Sequence, residues 1–266
     1  MFLDMPTGKI AFETYGLDKD KAIVFIHGFP FDRSMWNEQA MLLSRDHLVV
    51  TFDIRGHGQS DRGSGQYLVE FFVDDLIALL DHLALPKVCL CGLSMGGYTA
   101  LRAIEREPSR FTGLVLCDTK STADTNAAKL NRANQIKTIL SGKKREFAEA
   151  QVKALFAPES FDRNRGAVER IRKIIESTGD AALIGALIAL AARTDTTESL
   201  QNIGVPTLII VGEKDKVTPL TDSELLHSKI GNSKLEVIRG AGHLSNLENS
   251  ADFNSALQNF LAANGL

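Results

Sequence analysis

The chain has 266 residues, which suits one large α/β domain or one domain with an insertion, because single hydrophobic cores stop growing at roughly 250 to 300 residues. Hydrophobic residues make up 44% and charged residues 24%, which is a globular composition and excludes a largely disordered chain. The net charge of −3 excludes the broad basic surface that nucleic acids require, so we expect no nucleic-acid partner.

The N-terminal residues and the longest apolar stretch argue against export and against membrane insertion. Residues 1–10 lack the basic and apolar regions of a signal peptide, and residues 181–192 are too few to cross a bilayer. Three cysteines lie in apolar runs and are expected to be buried free thiols: Cys89, Cys91 and Cys117. We therefore expect a cytoplasmic protein with no membrane partner and no bound metal. No feature of the sequence specifies an oligomeric state.

The chain opens with a predicted antiparallel hairpin and continues as a series of short apolar strands. Residues 2–3 and 9–15 flank a turn that contains proline and glycine, which is typical of a hairpin. Six β-branched runs then alternate with helix-length segments, and this alternation indicates a parallel sheet with helices on both faces. These runs are residues 22–26, 47–52, 88–91, 113–117, 207–211 and 235–238.

Between the fourth and fifth of these runs the strand pattern disappears. Residues 119–202 show helix-like stretches, which are divided into about four helices by breakers at Ser141-Gly142, Pro158, Gly166 and Gly179. We interpret residues 1–118 and 203–266 as a core domain. Residues 119–202 are then a helical cap inserted before the last two strands, at the carboxyl edge where parallel sheets bind ligands.

The third run leads at once into G-L-S-M-G and then into a helical stretch. A serine on such a sharp strand-to-helix turn needs small neighbours, and Gly92 and Gly96 supply the room. The turn exposes the hydroxyl of Ser94 and places the first N–H groups of a helix beside it. We therefore predict Ser94 as a nucleophile and the N–H of Met95 as a donor to an oxyanion.

A nucleophilic serine needs a base that is itself held by a third group. Of the six histidines, only His243 follows the last predicted strand in a Gly-rich loop, so we predict it as the general base. The run at residues 207–211 ends in a turn that contains Asp215, the predicted acid that orients His243. Asp118 is the rival acid and Glu213 a weaker one, but the order of the three groups along the chain favours Asp215.

A second oxyanion donor is predicted in the H-G-F-P turn that ends the first parallel strand. This turn can direct the N–H of Phe29 at the site. We expect His27 to hold the turn by hydrogen bonds rather than to act as a base. Asp53 and Arg55, which follow the next strand, are expected to fix a neighbouring loop.

Together these motifs resemble the α/β-hydrolase superfamily, over the chain from about residue 20 to the end. The H-G-F-P turn, D-x-R-G-H-G-x-S, G-x-S-x-G-G, G-x-x-D and G-A-G-H occur in its order and spacing. Residues 93–98, 116–119 and 242–248 are similar to the branch that contains 3-oxoadipate enol-lactonases and small carboxylesterases. The resemblance implies an α/β-hydrolase fold, with a mostly parallel central sheet flanked by helices and a helical cap. It also implies a Ser-His-Asp triad and no metal or organic cofactor.

The resemblance implies a serine hydrolase that cleaves a carboxylic ester or lactone of a small substrate through an acyl-enzyme. Perhydrolases and C–C bond hydrolases of the superfamily use the same residues, and a non-catalytic ligand-binding protein on this fold is a further alternative. A serine at position 94 argues against the dehalogenase and epoxide-hydrolase branches, whose nucleophile is a carboxylate.

The substrate pocket is predicted to be apolar and to be built by the cap and the adjoining loops. Its expected residues are Trp36, Leu183, Leu187, Val217 and Leu244. Residues 119–200 contain 14 Lys and Arg against 10 Asp and Glu. We interpret these basic runs as solvated faces of amphipathic helices in preference to a site for an anionic substrate.

Overall fold

Eight strands form one sheet in the computed structural model, which describes residues 1–17, 19–63, 65 and 67–266, without the side chain of Lys19. The order of the strands across the sheet is β1-β2-β4-β3-β5-β6-β7-β8. Their bounds are β1 (Phe2–Met5), β2 (Gly8–Tyr15), β3 (Ala22–Ile26), β4 (Leu48–Phe52), β5 (Val88–Leu93), β6 (Phe111–Cys117), β7 (Thr207–Gly212) and β8 (Ser233–Ile238).

The pairing of the strands confirms the mostly parallel sheet predicted from the sequence. β1 and β2 form the antiparallel hairpin and β2 pairs antiparallel with β4, whereas all the other neighbouring pairs are parallel. Every residue of β3, β4, β5 and β7 is buried, because helices cover both faces of the central strands. This is why these strands are continuous apolar runs, whereas the edge strand β8 is only partly buried.

The longer helices that flank the sheet bury apolar side chains against it. In α2, for example, Phe72, Leu76 and Leu79 recur at helical spacing and are all buried. These helices are α1 (Asn37–Leu43), α2 (Val69–His82), α3 (Met95–Arg106), α9 (Leu220–Lys229), α10 (Ser245–Glu248) and α11 (Ser250–Asn264). Short 3-10 turns lie at Lys19–Lys21, Arg33–Trp36, Pro108–Arg110 and Thr197–Asn202.

Five α-helices lie between β6 and β7, where the sequence predicted about four. They are α4 (Asn126–Leu140), α5 (Lys144–Leu155), α6 (Ser160–Arg163), α7 (Arg165–Ser177) and α8 (Asp180–Ala192), and we call them the helical insert. The extra helix is the single turn α6, which follows Pro158. Gly166 does not separate two helices, because it lies in the first turn of α7. Within the described residues, no single helix is long and apolar enough to span a membrane, and α7 and α8 reach that length only across a 100° bend.

The helical insert packs directly on loops at the carboxyl edge of the sheet. The ring of Tyr67 lies so close to α8 that a Cβ on Gly185 would be 2.4 Å from it. The rings of Phe29 and Phe147 lie 6.4 Å apart between their centroids. Just after α8, the buried guanidinium of Arg193 lies over the ring of Tyr98 on α3, 4.2 Å from its centroid. The insert is therefore attached to the core both along α8 and at its end.

The turn from β5 into α3 brings the start of the helix against the neighbouring strand β3. A Cβ on Gly96 would lie 2.1 Å from the carbonyl oxygen of Ile26, and a Cβ on Gly92 would lie 2.3 Å from the carbonyl oxygen of Gly96. Both distances are far below van der Waals contact, and the atoms in the way belong to the backbone. Only glycine fits at these two positions.

Gly96→Ala should therefore lower the free energy of unfolding by about 1 to 3 kcal/mol, because β3 or α3 must shift to admit the methyl group. Urea denaturation measures the change. Gly166→Ala is the matched control, since Gly166 is exposed on α7 and an added Cβ would meet no atom within 4 Å. That variant should gain up to about 1 kcal/mol from helix propensity. Equal stability of the two variants would contradict the proposed close approach.

Candidate active site

Ser94 lies at the tip of the turn between β5 and α3, in a backbone conformation that side chains rarely adopt. Its φ is 53° and its ψ is −113°. Two hydrogen bonds from β6 and the following loop hold it there: its N–H donates to the carbonyl of Cys117 at 2.9 Å, and the hydroxyl of Thr119 donates to its carbonyl at 2.8 Å. The surrounding structure thus maintains a strained conformation, which is common at functional sites.

His243 and Asp215 form a buried hydrogen-bonded pair. The Nδ1–H of His243 donates to Oδ2 of Asp215 at 2.8 Å, and both side chains are almost completely buried. Asp215 also accepts the N–H groups of Val217 at 2.8 Å and Thr218 at 3.1 Å, together with the Thr218 hydroxyl at 2.7 Å. Because Nδ1 carries the proton that faces Asp215, the neutral ring keeps a lone pair on Nε2.

The two members of the pair shift each other's pKa. Burial tends to raise the pKa of Asp215, but the charge of His243 and the hydrogen bonds from His243 and Thr218 lower it below its ordinary value. Burial tends to lower the pKa of His243, but the charge of Asp215 and their hydrogen bond raise it above its ordinary value. Asp215 is therefore ionised at neutral pH and favours the protonated imidazole.

Asp118, the rival acid, has other partners in the structure. Its Oδ1 accepts the N–H of Gly212 at 2.8 Å, and its Oδ2 accepts the hydroxyl of Ser245. Complete burial, and then the negative charge of Asp215, raise the pKa of Asp118 well above its ordinary value. The pKa of Asp118 is thus raised, whereas that of Asp215 is lowered. Of these two carboxyl groups, only Asp215 is hydrogen-bonded to the imidazole.

Asp118 also connects the loops that carry the three predicted side chains. It follows Cys117, whose carbonyl accepts the N–H of Ser94, and it bonds Ser245, two residues after His243. Its bond to Gly212 reaches the end of β7, three residues before Asp215. The loops after β5, β6, β7 and β8 therefore meet at one edge of the sheet.

The predicted oxyanion donors lie at the ends of two adjacent strands. Phe29 follows β3 and Met95 opens α3 after β5, and β3 pairs with β5 in the sheet. In the part of the chain that the structure describes, the N–H of Phe29 donates no hydrogen bond. The N–H of Met95 is the first of its helix and so has no acceptor within the helix.

The supporting roles expected for His27, Asp53 and Arg55 agree with the geometry. His27 donates from Nδ1 to the carbonyl of Gly28 at 2.8 Å and accepts the N–H of Ile54 at 2.9 Å, so it ties together the loops after β3 and β4. Burial lowers its pKa to about 4, so the ring is neutral. Asp53 accepts the N–H groups of its own loop and of the 3-10 turn that follows Phe29, while Arg55 forms a buried ion pair with α2.

The structure corrects one predicted pocket residue. The 3-10 turn that carries Trp36 directs its indole into the core, where it packs on Phe25 at 4.8 Å and Phe253 at 6.1 Å between ring centroids. Trp36 follows the H-G-F-P turn in the chain, but its contacts are those of a core residue.

The other predicted pocket residues differ in exposure. Val217 is 40% exposed, whereas Leu183, Leu187 and Leu244 are completely buried, so the lining of a substrate pocket by these four stays a prediction. Ile184 and Ile188, on another side of α8, line a surface cleft of about 530 Å³.

Three supporting residues were not predicted from the sequence: Thr119, Thr218 and Glu248. Thr119 holds the carbonyl of Ser94, Thr218 holds Asp215, and Glu248 accepts the N–H groups of Gly242 and Leu244 on either side of His243. The D-x-x-T spacing after β7 was a usable signal for Thr218, because such short polar turns commonly bond their own backbone. Within the described ranges, no group of three or more His, Cys, Asp or Glu side chains is arranged to hold a metal ion.

A family model described as the alpha/beta hydrolase fold matches residues 21–250. The chain belongs to the alpha/beta hydrolase family. This confirms the resemblance inferred from the motifs, and the match spans strands β3 to β8, the helical insert and the loop of His243.

Within the alpha/beta hydrolase family, the chain is similar to enol-lactonases and esterases. It is 32% identical over 251 residues to 3-oxoadipate enol-lactonase 2 of Acinetobacter baylyi, covering 93% of this chain and 91% of that protein. The structure of a thermophilic esterase from Thermogutta terrifontis is 33% identical, with a TM-score of 0.93 over 97% of this chain and 95% of that one. The enol-lactonase from Burkholderia xenovorans LB400 is 25% identical, with a TM-score of 0.91 over 98% of this chain and all of that one.

The Asp215–His243 pair should be visible in the pKa of His243. In the folded protein, His243 should titrate above the ordinary histidine value, and Asp215→Asn should lower its pKa, because the largest stabilisation of the imidazolium is removed while the burial remains. NMR of protein labelled at histidine measures both values.

His57 is an internal reference for this titration, because burial lowers its pKa to about 4 and it should stay neutral throughout. An unchanged pKa of His243 in Asp215→Asn would show that the pair is not coupled.

Proposed function

We propose that this protein hydrolyses carboxylic esters or lactones of small molecules through a Ser94-His243-Asp215 triad and an acyl-enzyme. One observation carries the proposal: a buried, hydrogen-bonded Asp215–His243 pair at the sheet edge where Ser94 is held at positive φ. The similarity to enol-lactonases and esterases supports the substrate class.

In the first step, Nε2 of His243 accepts the hydroxyl proton of Ser94 while the serine oxygen attacks the carbonyl carbon. The electron pair of the carbonyl moves to oxygen, and the N–H groups of Phe29 and Met95 are the proposed donors to this oxyanion. The intermediate collapses as the imidazolium gives its proton to the leaving oxygen. With an ester, the products are an acyl-Ser94 ester and a free alcohol. With an enol-lactone, the ring opens and the enol stays attached to the acyl group on Ser94.

In the second step, His243 accepts a proton from water as the water oxygen attacks the acyl carbon. The imidazolium then returns this proton to the oxygen of Ser94, and the carboxylic acid is released. The imidazolium forms in both steps, and an ionised Asp215 stabilises it each time. The raised pKa of His243 makes it a stronger base, although it must be neutral to begin the reaction. The rate at limiting substrate should therefore rise with pH through that pKa.

We further propose that residues 119–202 act as a cap over a core formed by residues 1–118 and 203–266. The contacts of Tyr67 and Phe29 with the helical insert support this arrangement. On the insert, several basic side chains pair with acidic neighbours, such as Lys144 with Asp180 at 2.9 Å and Arg172 with Glu149 at 2.7 Å. These pairs favour solvated helix faces, so we propose that the acyl pocket is apolar and is lined by Leu183, Leu187, Val217 and Leu244.

Perhydrolysis is the second candidate, in which hydrogen peroxide replaces water in the second step and a peracid is released. The relatives that favour it are a non-heme chloroperoxidase of Streptomyces lividans, 26% identical over 249 residues, and the structure of a bromoperoxidase from Bacillus anthracis, 27% identical. C–C bond hydrolysis by the same triad and ligand binding without catalysis are the remaining alternatives.

Ser94→Ala should lower kcat for a p-nitrophenyl ester by about 10⁴- to 10⁶-fold, because the triad acts as a unit. A fluorophosphonate should label the wild-type protein once, detected by intact mass, and should not label Ser94→Ala. Ser228→Ala, an exposed serine on α9, is the matched control and should keep both turnover and labelling. Near-normal turnover by Ser94→Ala would refute the assignment, and an unlabelled wild-type protein would support a non-catalytic fold.

A parallel panel separates the candidate reactions. We expect short-chain esters and enol-lactones to be hydrolysed faster than peracid is formed from acetate and hydrogen peroxide at the same enzyme concentration. A C–C bond substrate that releases a carboxylic acid is the third arm. Peracid formation that exceeds ester hydrolysis would favour the second candidate.

A further inference from the structure

A carboxylate outside the triad holds the loop of His243 on both sides. Oε1 of Glu248 accepts the N–H of Gly242 at 2.9 Å and the N–H of Leu244 at 3.3 Å, the two residues that flank His243. One oxygen atom thus accepts a backbone N–H from each side of the histidine.

The other oxygen of the same carboxylate binds the helical insert. Oε2 of Glu248 accepts the N–H of Ala157, between α5 and α6, at 2.8 Å and the hydroxyl of Ser160, the first residue of α6, at 2.6 Å. The N–H of His243 itself donates to the carbonyl of Leu155, at the end of α5, at 2.8 Å. The histidine loop and this part of the insert are therefore joined through four hydrogen bonds to Glu248 and one direct bond.

The approach of these two segments is very close. A Cβ on Gly242 would lie 2.6 Å from the nitrogen of Ala157 and 2.9 Å from the carbonyl oxygen of Leu155. Asn164, at the end of α6, also donates to the carbonyls of Leu247 at 3.0 Å and Glu248 at 3.1 Å. The insert thus contacts the segment from Gly242 to Glu248 along its length.

We infer that Glu248 is a positioning residue: its carboxylate fixes the backbone of His243 and links it to the helical insert, so that the imidazole is held in register with Ser94. The inference rests on the proposed function, because it gives His243 the role of the base. Glu248 itself touches neither the substrate nor the reacting atoms in this proposal.

A carboxylate is the group that the site requires, because four donors converge on two oxygen atoms that carry only lone pairs. Glutamine has nearly the same shape, but its amide nitrogen cannot accept a hydrogen bond. In Glu248→Gln, the two donors that face this nitrogen lose their acceptor. Either the loop of His243 or the adjoining part of the insert must then move. A displacement near 1 Å in a reacting group is enough to cost about 100-fold in rate.

The test compares Glu248→Gln and Glu248→Asp with two controls. Glu248→Asp keeps the charge, but its side chain is shorter by one methylene, so the carboxylate lies closer to its own backbone. Ser160→Ala removes one donor from the insert and leaves the Oε1 bonds to Gly242 and Leu244 intact. Glu159→Gln removes a neighbouring, exposed carboxylate that pairs with Lys214 and not with the histidine loop. All are assayed well below their Tm, with folding verified by circular dichroism.

We expect kcat for a p-nitrophenyl ester to fall about 10- to 100-fold in both Glu248 variants, with KM changed less than about threefold, because the lost geometry matters in the transition state. Ser160→Ala and Glu159→Gln should stay within about twofold of the wild-type kcat. Asp215, Asp118 and Glu248 raise the pKa of His243 when they are ionised, and Asp215 contributes most. The pKa of His243, and with it the acid limb of kcat/KM, should therefore move to lower pH in Glu248→Gln and less so in Glu248→Asp.

A folded Glu248→Gln or Glu248→Asp with wild-type kcat would overturn the inference. It would also be overturned if Ser160→Ala lowered kcat as much as the Glu248 variants do. The bonds to Gly242 and Leu244 would then not be needed to explain the loss of kcat. If the wild-type protein reacts with neither ester nor fluorophosphonate, the proposed function has failed. The NMR titration of His243 in Glu248→Gln still reports, independently of any activity, whether this carboxylate acts on the histidine.

Discussion

The site depends on placing an ionised carboxylate in the interior without losing its charge. Burial alone raises the pKa of a carboxyl group, as it does for Asp118, which lies beside Asp215 at the same edge of the sheet. Asp215 remains ionised because Val217, Thr218 and His243 all direct donors at it. The charge of Asp215 then raises the basicity of the imidazole and fixes which nitrogen carries the proton. Any change that weakens these donors would also weaken the base.

This electrostatic arrangement requires backbone geometry that the sheet provides. The parallel strands end together, so the loops after β5, β6, β7 and β8 meet although their residues are far apart in the chain. Polar side chains then tie one loop to the next: Asp118 joins three of them, and His27 joins the loops after β3 and β4. The strained φ of Ser94 is maintained because its N–H and carbonyl are both held by β6 and the residues just after it.

The order of strands along the chain, the turn at Ser94 and the pairing of His243 with Asp215 were predictable, because apolar periodicity, paired glycines and sequence order reflect local constraints. The strand bounds agree within two residues, including the first strand of the hairpin, which extends to Met5. Contacts between distant segments that carry no sequence motif for the pair were not predictable. Trp36 was predicted to line the pocket, yet Phe253, more than 200 residues away, packs on its ring. Glu248 was part of a recognised motif, but its partners in the insert appear only after folding.

The contacts of Glu248 couple the helical insert to His243, the proposed base. A helical insert that only covered the sheet would leave the base unaffected when it moved. Here the carbonyl of Leu155 accepts the N–H of His243, and one carboxylate is shared between the insert and both flanks of the histidine. A shift of the end of α5 must therefore either break these bonds or displace His243. In the proposed mechanism, movement of the end of α5 would therefore affect kcat without any contact with the substrate, whereas α8 packs on Tyr67.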